Sequence, residues 1–212
     1  MNRFIRTAMM AVVAIMIVGC CQTKCDKQSN TEECYNPETA SKSEIVIDNM
    51  LSRRSIRDYK PEAVDREQMA KVIECGIYAP NAMNAQTWAV RVVDAPDFIN
   101  GVTDIYKSKN PAAAEDANFK NVFRNAPTVA FIACPTESYS GEYDCGLLSE
   151  NMMLAAWSMG IGSCCLGSVV PHMNSEEAKP YLERLQLPDG YKLLVAIAFG
   201  YPEGKTPVAP ER

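Results

Sequence analysis

Three features of the sequence predict an α+β domain. Two apolar runs, Thr128 to Cys134 and Leu193 to Phe199, are continuous enough to be strands covered on both faces. Around them lie segments whose apolar residues recur at helical spacing, as in Met69, Val72, Ile73 and Ile77. Strand and helix signals do not alternate in a strict βαβ rhythm, which argues against a purely parallel sheet. The 212 residues are 47% hydrophobic, enough for one substantial core and one domain, and no internal repeat is visible.

Taken in order, the chain opens with Arg3 and Arg6 before an uninterrupted apolar run from Ala8 to Val18. That run is too short to span a bilayer and fits the central region of a signal peptide. Ile17-Val18-Gly19-Cys20 then resembles a bacterial lipobox, so residues 1–19 are expected to be a lipoprotein leader and Cys20 the lipidated residue. An ordinary signal peptide with an incidental cysteine is the alternative. Residues 20–43 are polar and predict a flexible tether; Cys21, Cys25 and Cys34 lie within it and could form a disulfide outside the cytoplasm.

The domain is expected over residues 44–212. Ser43 is the expected N-cap of a helix from Glu44 to Ser52. The stretch Arg53-Arg54-Ser55-Ile56-Arg57-Asp58-Tyr59 follows, then a turn at Lys60-Pro61. Asp65 and Gln68 match a capping box, and the helix they open must stop near Ala79-Pro80, because a residue before proline disfavours helix. Trp88 to Val93 is strand-like. Helices are predicted from Asp97 to Lys107 and, with proline at N1, from Asn110-Pro111 to about Asn125. Tyr143 to Met159 is apolar all round, which suits a central buried helix or one at a subunit interface, and Gly160-Ile161-Gly162 ends it. Ser175 to Leu187 is the last predicted helix.

Composition removes several function classes. A formal net charge of −5 argues against nucleic-acid binding, and a single histidine, His172, argues against a histidine metal site or a histidine-dependent triad. There is no G-x-x-x-x-G-K-[ST] loop, no G-x-G-x-x-G fingerprint and no G-x-S-x-G elbow. Cys164 and Cys165 read as buried or partly buried thiols, with redox activity the alternative; adjacent cysteines rarely bond each other. What stands out is the arginine stretch: three guanidiniums within five residues, with a serine between them, suit a phosphate or another polyanion.

That stretch, together with Ala79-Pro80-Asn81-Ala82-Met83-Asn84-Ala85-Gln86-Thr87-Trp88, resembles the nitroreductase family of FMN-dependent oxidoreductases. The family pattern reads R-R-S-x-R-x-[FY] and then A-P-S-x-x-N-x-Q-P-W. Two further patches agree in order: Gly160-Ile161-Gly162-Ser163-Cys164-Cys165-Leu166-Gly167, similar to G-[IL]-G-[ST]-C-x-x-G, and Gly200-Tyr201-Pro202 followed by Arg212. The resemblance covers about Glu44 to Arg212. It departs at Asn81 for serine and Thr87 for proline. Many members continue past the last arginine with a segment that wraps the partner, whereas this sequence ends at Arg212.

The resemblance implies a mostly antiparallel central sheet flanked by helices, a homodimer, and FMN at the subunit interface. It assigns Arg53, Arg54, Ser55 and Arg212 to the phosphate and ribityl chain, and Arg57 to flavin N1 and O2. Asn84 and Gln86 go to the ring, Asn81 is placed among the cofactor-binding residues, and the backbone at Leu166 and Gly167 goes to O4 and N5. A fixed cation at N1 suits the negative charge of reduced flavin, and an amide can read a mixed donor and acceptor edge. The implied activity is ping-pong hydride transfer from NAD(P)H through flavin N5 to nitroaromatic, quinone or similar acceptors, with no dedicated protein nucleophile and no metal. Two alternatives stay open: a specialised flavin reductase or dehalogenase-like member with a non-nicotinamide donor, and a surface-anchored flavin-binding module without turnover. The leader implies a lipid-anchored place in the bacterial cell envelope, outside the cytoplasm, with contact to the membrane only through the lipid.

Overall fold

The computed structural model describes residues 40–211. The expected leader, Cys20, the tether cysteines and Arg212 lie outside the described residues. Helix α1 (Lys42–Ser52) begins two residues earlier than expected, because Ser41 rather than Ser43 caps it. The Ser41 side chain accepts from the Glu44 N–H, and the Glu44 carboxylate accepts from the Ser41 N–H, a complete capping box. Helix α2 (Arg66–Ile77) has Asp65 as its N-cap, accepting from the N–H groups of Glu67 and Gln68. The returning arm of that expected box is absent. Gln68 Oε1 instead accepts from the Tyr201 hydroxyl at 2.6 Å.

Four strands follow, with helices between them: β1 (Ala89–Val93), α3 (Pro96–Lys109), α4 (Pro111–Glu115), β2 (Thr128–Pro135), α5 (Gly141–Ser158), β3 (Gly162–Leu166), α6 (Val170–Met173), α7 (Lys179–Arg184) and β4 (Tyr191–Gly200). The sheet order is β1-β2-β4-β3, and every neighbouring pair is antiparallel. Strand β2 is buried along nearly its whole length, as its unbroken apolar run requires. Its alternation divides the core. Val129 and Phe131 face one layer with Phe98, Val102 and Met173; Ala130 and Ile132 face the other with Val72, Leu148 and Met152. A register slip pairs Ile132 with Val195 and Ala133 with Leu193, leaving Leu194 as the extra residue.

Two expectations are corrected. The helix begun at Pro111 stops at Glu115 rather than near Asn125. Beyond it, Asn118 donates its N–H to Asp116 Oδ1, and Lys120 and Asn121 donate theirs to Asn125 Oδ1, so side chains take the backbone groups a helix would have used. The helix expected over Ser175 to Leu187 is a 3₁₀ turn, Glu176–Ala178, joined to the short α7, with Pro180 in the first turn of the latter. Gly162–Leu166, for which the sequence predicts no element, is an edge strand. Helix α5 buries Leu148 and Met152, while Tyr143 and Leu147 remain exposed. Among the described residues no helix is long and apolar enough to cross a membrane.

Candidate functional site

The arginine stretch leaves α1 in extended conformation and is stitched to the sheet. The Ile56 N–H donates to the Ser163 carbonyl at 2.9 Å, and Ser55 pairs with Ser163 in a parallel bridge beside β3. Farther along, Tyr59 bridges Pro202, and the Lys60 N–H donates to the Tyr201 carbonyl at 2.9 Å. Ile56 and Tyr59 are buried, and the Tyr59 hydroxyl donates to the Ile56 carbonyl at 2.6 Å. Two apolar anchors thus fix a segment whose polar residues face outward. Space for Ile56 exists only because residue 162 is glycine: a Cβ there would lie 2.8 Å from Ile56 Cβ.

Arg53, Arg54, Ser55 and Arg57 line one cavity of about 590 Å³, closed on another side by Pro207 to Pro210. Arg53 Nε is buried and lies 3.3 Å from Glu150 Oε1, yet off the line of a hydrogen bond, so it donates to nothing. Buried donors of this kind are rarely left without a partner. Arg54 turns back on α1, with Nη1 donating to the carbonyls of Leu51 at 2.6 Å and Arg53 at 2.7 Å. A guanidinium at a helix C-terminus is favourable for the same reason that an anion is at the opposite end. Arg57 Nη1 makes a long contact, 3.3 Å, to the Ser55 carbonyl.

Asn81, Asn84 and Gln86 form a separate group, lining a concavity of about 520 Å³ with Tyr78 and Pro80. Their loop is held from within and from behind. Asn81 Oδ1 accepts from the Gln86 N–H at 2.9 Å, and Gln86 Nε2 reaches Asn84 Oδ1 at 3.4 Å. The Ala82 N–H donates to Asp144 Oδ1 at 3.1 Å, while the Ser140 hydroxyl donates to Asp144 Oδ2 at 2.8 Å. Met83, Asn84 and Gln86 all have positive φ, at 53°, 51° and 50°. Non-glycine residues in this region cost on the order of 1–3 kcal/mol each and persist only where surroundings over-determine them. Sequence reasoning missed Asp144, whose only local signal is a serine four residues earlier at a helix start.

The Leu166-Gly167 pair sits where β3 ends in a 3₁₀ turn, Gly167–Val169. Leu166 is buried, and a Cβ on Gly167 would meet no atom within 4 Å, so the Gly167 main chain borders open space. Ser168, next along, lines a third cavity of about 300 Å³, whose wall also includes Arg57. Burial pushes the Cys164 thiol up, and the Arg57 and Arg124 guanidiniums pull against that rise. Cys165, read with its neighbour as buried or partly buried, is exposed.

The fold therefore brings the four residues of the arginine stretch together, and the three amide residues together. These two cavities share no lining residue within one chain. The Arg53 guanidinium, whose buried Nε is paired in charge with Glu150 but makes no hydrogen bond, and the open face of Gly167 fit a group that carries an anion at one end and needs close backbone approach at the other. That matches the donor set expected for a flavin nucleotide.

Comparison with known proteins agrees. A family model described as the nitroreductase family matches residues 50–201. A putative NADH dehydrogenase/NAD(P)H nitroreductase from Archaeoglobus fulgidus is 29% identical over 167 residues, covering 76% of this chain and 87% of the relative. An FMN-dependent nitroreductase from Clostridium difficile R20291 superposes with a TM-score of 0.69 at 29% identity, covering 81% of this chain and 97% of the other. A nitroreductase with bound FMN from Desulfitobacterium hafniense gives 0.67 at 26% identity, covering 78% and 94%.

Proposed function

The chain belongs to the nitroreductase family, and on that premise we propose that it is an FMN-dependent NAD(P)H oxidoreductase whose acceptors are nitroaromatics, quinones or similar compounds. FMN, when bound, supplies the redox chemistry, taking hydride from the donor and passing electrons to an acceptor in a ping-pong cycle. The chain's own residues bind and orient. Arg53 and Ser55, which line the cavity, would hold the phosphate end, with Arg54 and Arg212 adding charge. Arg57 would set a fixed cation at the pyrimidine edge, where it stabilises negative charge without reorganising. Gly167 lets the main chain approach the ring, and Asn84 and Gln86 present amides able to donate and accept.

The single observation that carries the cofactor reading is the buried Arg53 Nε without a hydrogen-bond partner. A homodimer is part of the same proposal. It would set the amide cavity of one chain against the arginine cavity of its partner, which is why the two need not meet within a chain. Exposed Ile45, Val46, Ile47, Met50 and Leu51 on α1 support such an interface. We also propose that residues 1–19 are a leader and that Cys20 is lipidated, which places the domain outside the cytoplasm. The lipobox residues support this. Nicotinamide nucleotides are scarce there, so a protein or quinol donor would then replace NAD(P)H.

The first experiment is an absorbance spectrum of the purified protein before and after anaerobic NADH or NADPH. Flavin bands that bleach are expected. Flavin that does not bleach transfers the donor role to another reductant, and colourless protein that takes up no added FMN overturns the reading. For the anchor, Cys20→Ala should release the protein from membrane fractions or block its processing; normal anchoring in that variant removes the lipobox.

A further inference from the structure

The third cavity, about 300 Å³ in volume, shares Arg57 with the flavin reading and otherwise holds features that reading does not use. It meets the cavity of the arginine stretch at Arg57 alone. It is also lined by Arg124, in the loop between α4 and β2. Arg124 has φ 59° and Asn125 has φ 65°, two successive left-handed residues of which neither is glycine. Asparagine tolerates that region well; arginine does not.

The loop is knitted to hold this geometry. Asn125 Oδ1 accepts from the N–H groups of Lys120 and Asn121, at 2.9 Å and 3.1 Å, and Asn125 Nδ2 donates to the Asn118 carbonyl at 3.1 Å. Asn121 Nδ2 donates to the Ala126 carbonyl at 3.1 Å, and Phe123 is fully buried beneath. Neither Arg57 nor Arg124 is in an ion pair among the described residues. The one carboxylate in the lining, Asp116, is engaged by the Asn118 N–H at 2.8 Å. Tyr106 and Phe119 supply an aromatic wall, stacked at 5.6 Å with an interplanar angle of 16°, and Lys107 Nζ lies 5.7 Å from the centre of the Phe119 ring. A chain of net charge −5 therefore places two guanidiniums on one small cavity with an aromatic side.

We propose that Arg57 and Arg124 are the anion-binding end of a site for a small aromatic ligand bearing a carboxylate or phosphate, and that Arg124 is a specificity-determining residue for the second substrate. Two guanidinium forks match such oxyanions in geometry as well as charge. The wall of Tyr106 and Phe119 suits the apolar remainder of the ligand. Left-handed arginine is the kind of local strain that persists where a side chain must be aimed. Only the description of this ligand as a second substrate rests on the flavin reading; anion binding itself does not.

The test is calorimetry with the full chain, flavin-free and flavin-loaded, using benzoate, its neutral counterpart benzamide, and inorganic pyrophosphate. Benzoate should bind at least about tenfold more tightly than benzamide, the factor expected for one charge-assisted contact. Arg124→Gly fits the left-handed backbone, so it should fold with an unchanged or higher melting temperature while binding benzoate about tenfold more weakly. Arg124→Lys should recover part of that loss. Pyrophosphate that displaces benzoate in an Arg124-dependent way identifies a phosphate as the natural anion; no displacement identifies a carboxylate. Equal binding of benzoate and benzamide, or unchanged benzoate affinity in Arg124→Gly, overturns the proposal. Flavin-free protein reads the anion site alone, so its failure is separable from a failure to bind FMN.

Discussion

Asp144 Oδ1 accepts the main-chain N–H of Ala82 at 3.1 Å, joining the first turn of α5 to a loop 62 positions earlier. The same carboxylate accepts the Ser140 hydroxyl through its other oxygen. One arm serves the loop that presents Asn84 and Gln86, and the other serves the helix. Asp144→Ala should therefore weaken FMN binding tenfold or more and destabilise the domain by about 1 kcal/mol or more, the cost of leaving a partly buried donor unmet. Ser140→Ala removes only the hydroxyl's bond to Asp144 Oδ2, so it should lower stability by about 1 kcal/mol, the net worth of one hydrogen bond, and leave FMN affinity intact. Fluorescence titration of flavin and urea unfolding separate the two. Equal loss of affinity in both variants would mean that Asp144 merely starts a helix.

Gly162 carries a second prediction. An added Cβ would lie 2.8 Å from Ile56 Cβ and Cγ1, against a branched side chain that cannot swing aside. Gly162→Ala should cost about 1–3 kcal/mol, as overpacking in a core does. It should also displace Ser55 and Arg57, the neighbours of Ile56, and weaken FMN binding. Thermal melts and flavin titration check both effects. Stability lost with affinity retained would show that the stretch keeps its position without Ile56.

Stability should fall in alkali. Burial, reinforced by Cys134, pushes the Cys145 thiol up to about 12 from the ordinary 9.0. Burial raises Cys134 as well, and lifts the Tyr59 phenol far above its usual range. Each group keeps its proton in the folded state after the unfolded chain has lost it, so the unfolded state binds fewer protons there. The contribution is whole below the unfolded value and declines as pH rises from 9.0 towards about 12. Urea midpoints should drop above about pH 9 in wild type and drop less steeply in Cys145→Ala. An identical slope in the variant would assign the decline to other groups.

Much of this was legible in the sequence, and the misses have causes. Thr128 to Cys134 announced a central strand because every residue there needs burial. The arginine stretch was legible because its chemistry is local, packed into seven consecutive positions. Gly162–Leu166 was not, since glycine, serine and cysteine carry little strand preference; it is a strand because Cys164 and Leu166 pair with Ala198 and Ala196 of β4. The helix from Pro111 starts where the sequence predicts and ends early, because asparagine and aspartate side chains capture the backbone after Glu115. Asp144 and Arg124 were invisible as site residues: their partners lie far along the chain or across a cavity that only the fold creates.

Helix α1 gives the last prediction. None of its eleven residues is buried, and Leu51 remains 71% exposed. Its side-chain ties to α5 are two hydrogen bonds, from Asn49 Nδ2 to the Leu154 carbonyl at 3.1 Å and from Trp157 Nε1 to Ser52 Oγ at 2.9 Å. An isolated helix of this length is marginal in water, and apolar residues so displayed mark an interaction surface. If a second copy covers them, Val46→Asp and Leu51→Glu should each shift the protein from dimer to monomer in analytical ultracentrifugation. Flavin should be lost in step, because the amide cavity would no longer face its partner's arginines. Monomeric variants that keep FMN would confine the cofactor to one chain. Variants that stay dimeric would move the interface away from α1, and the apolar face would then need another occupant.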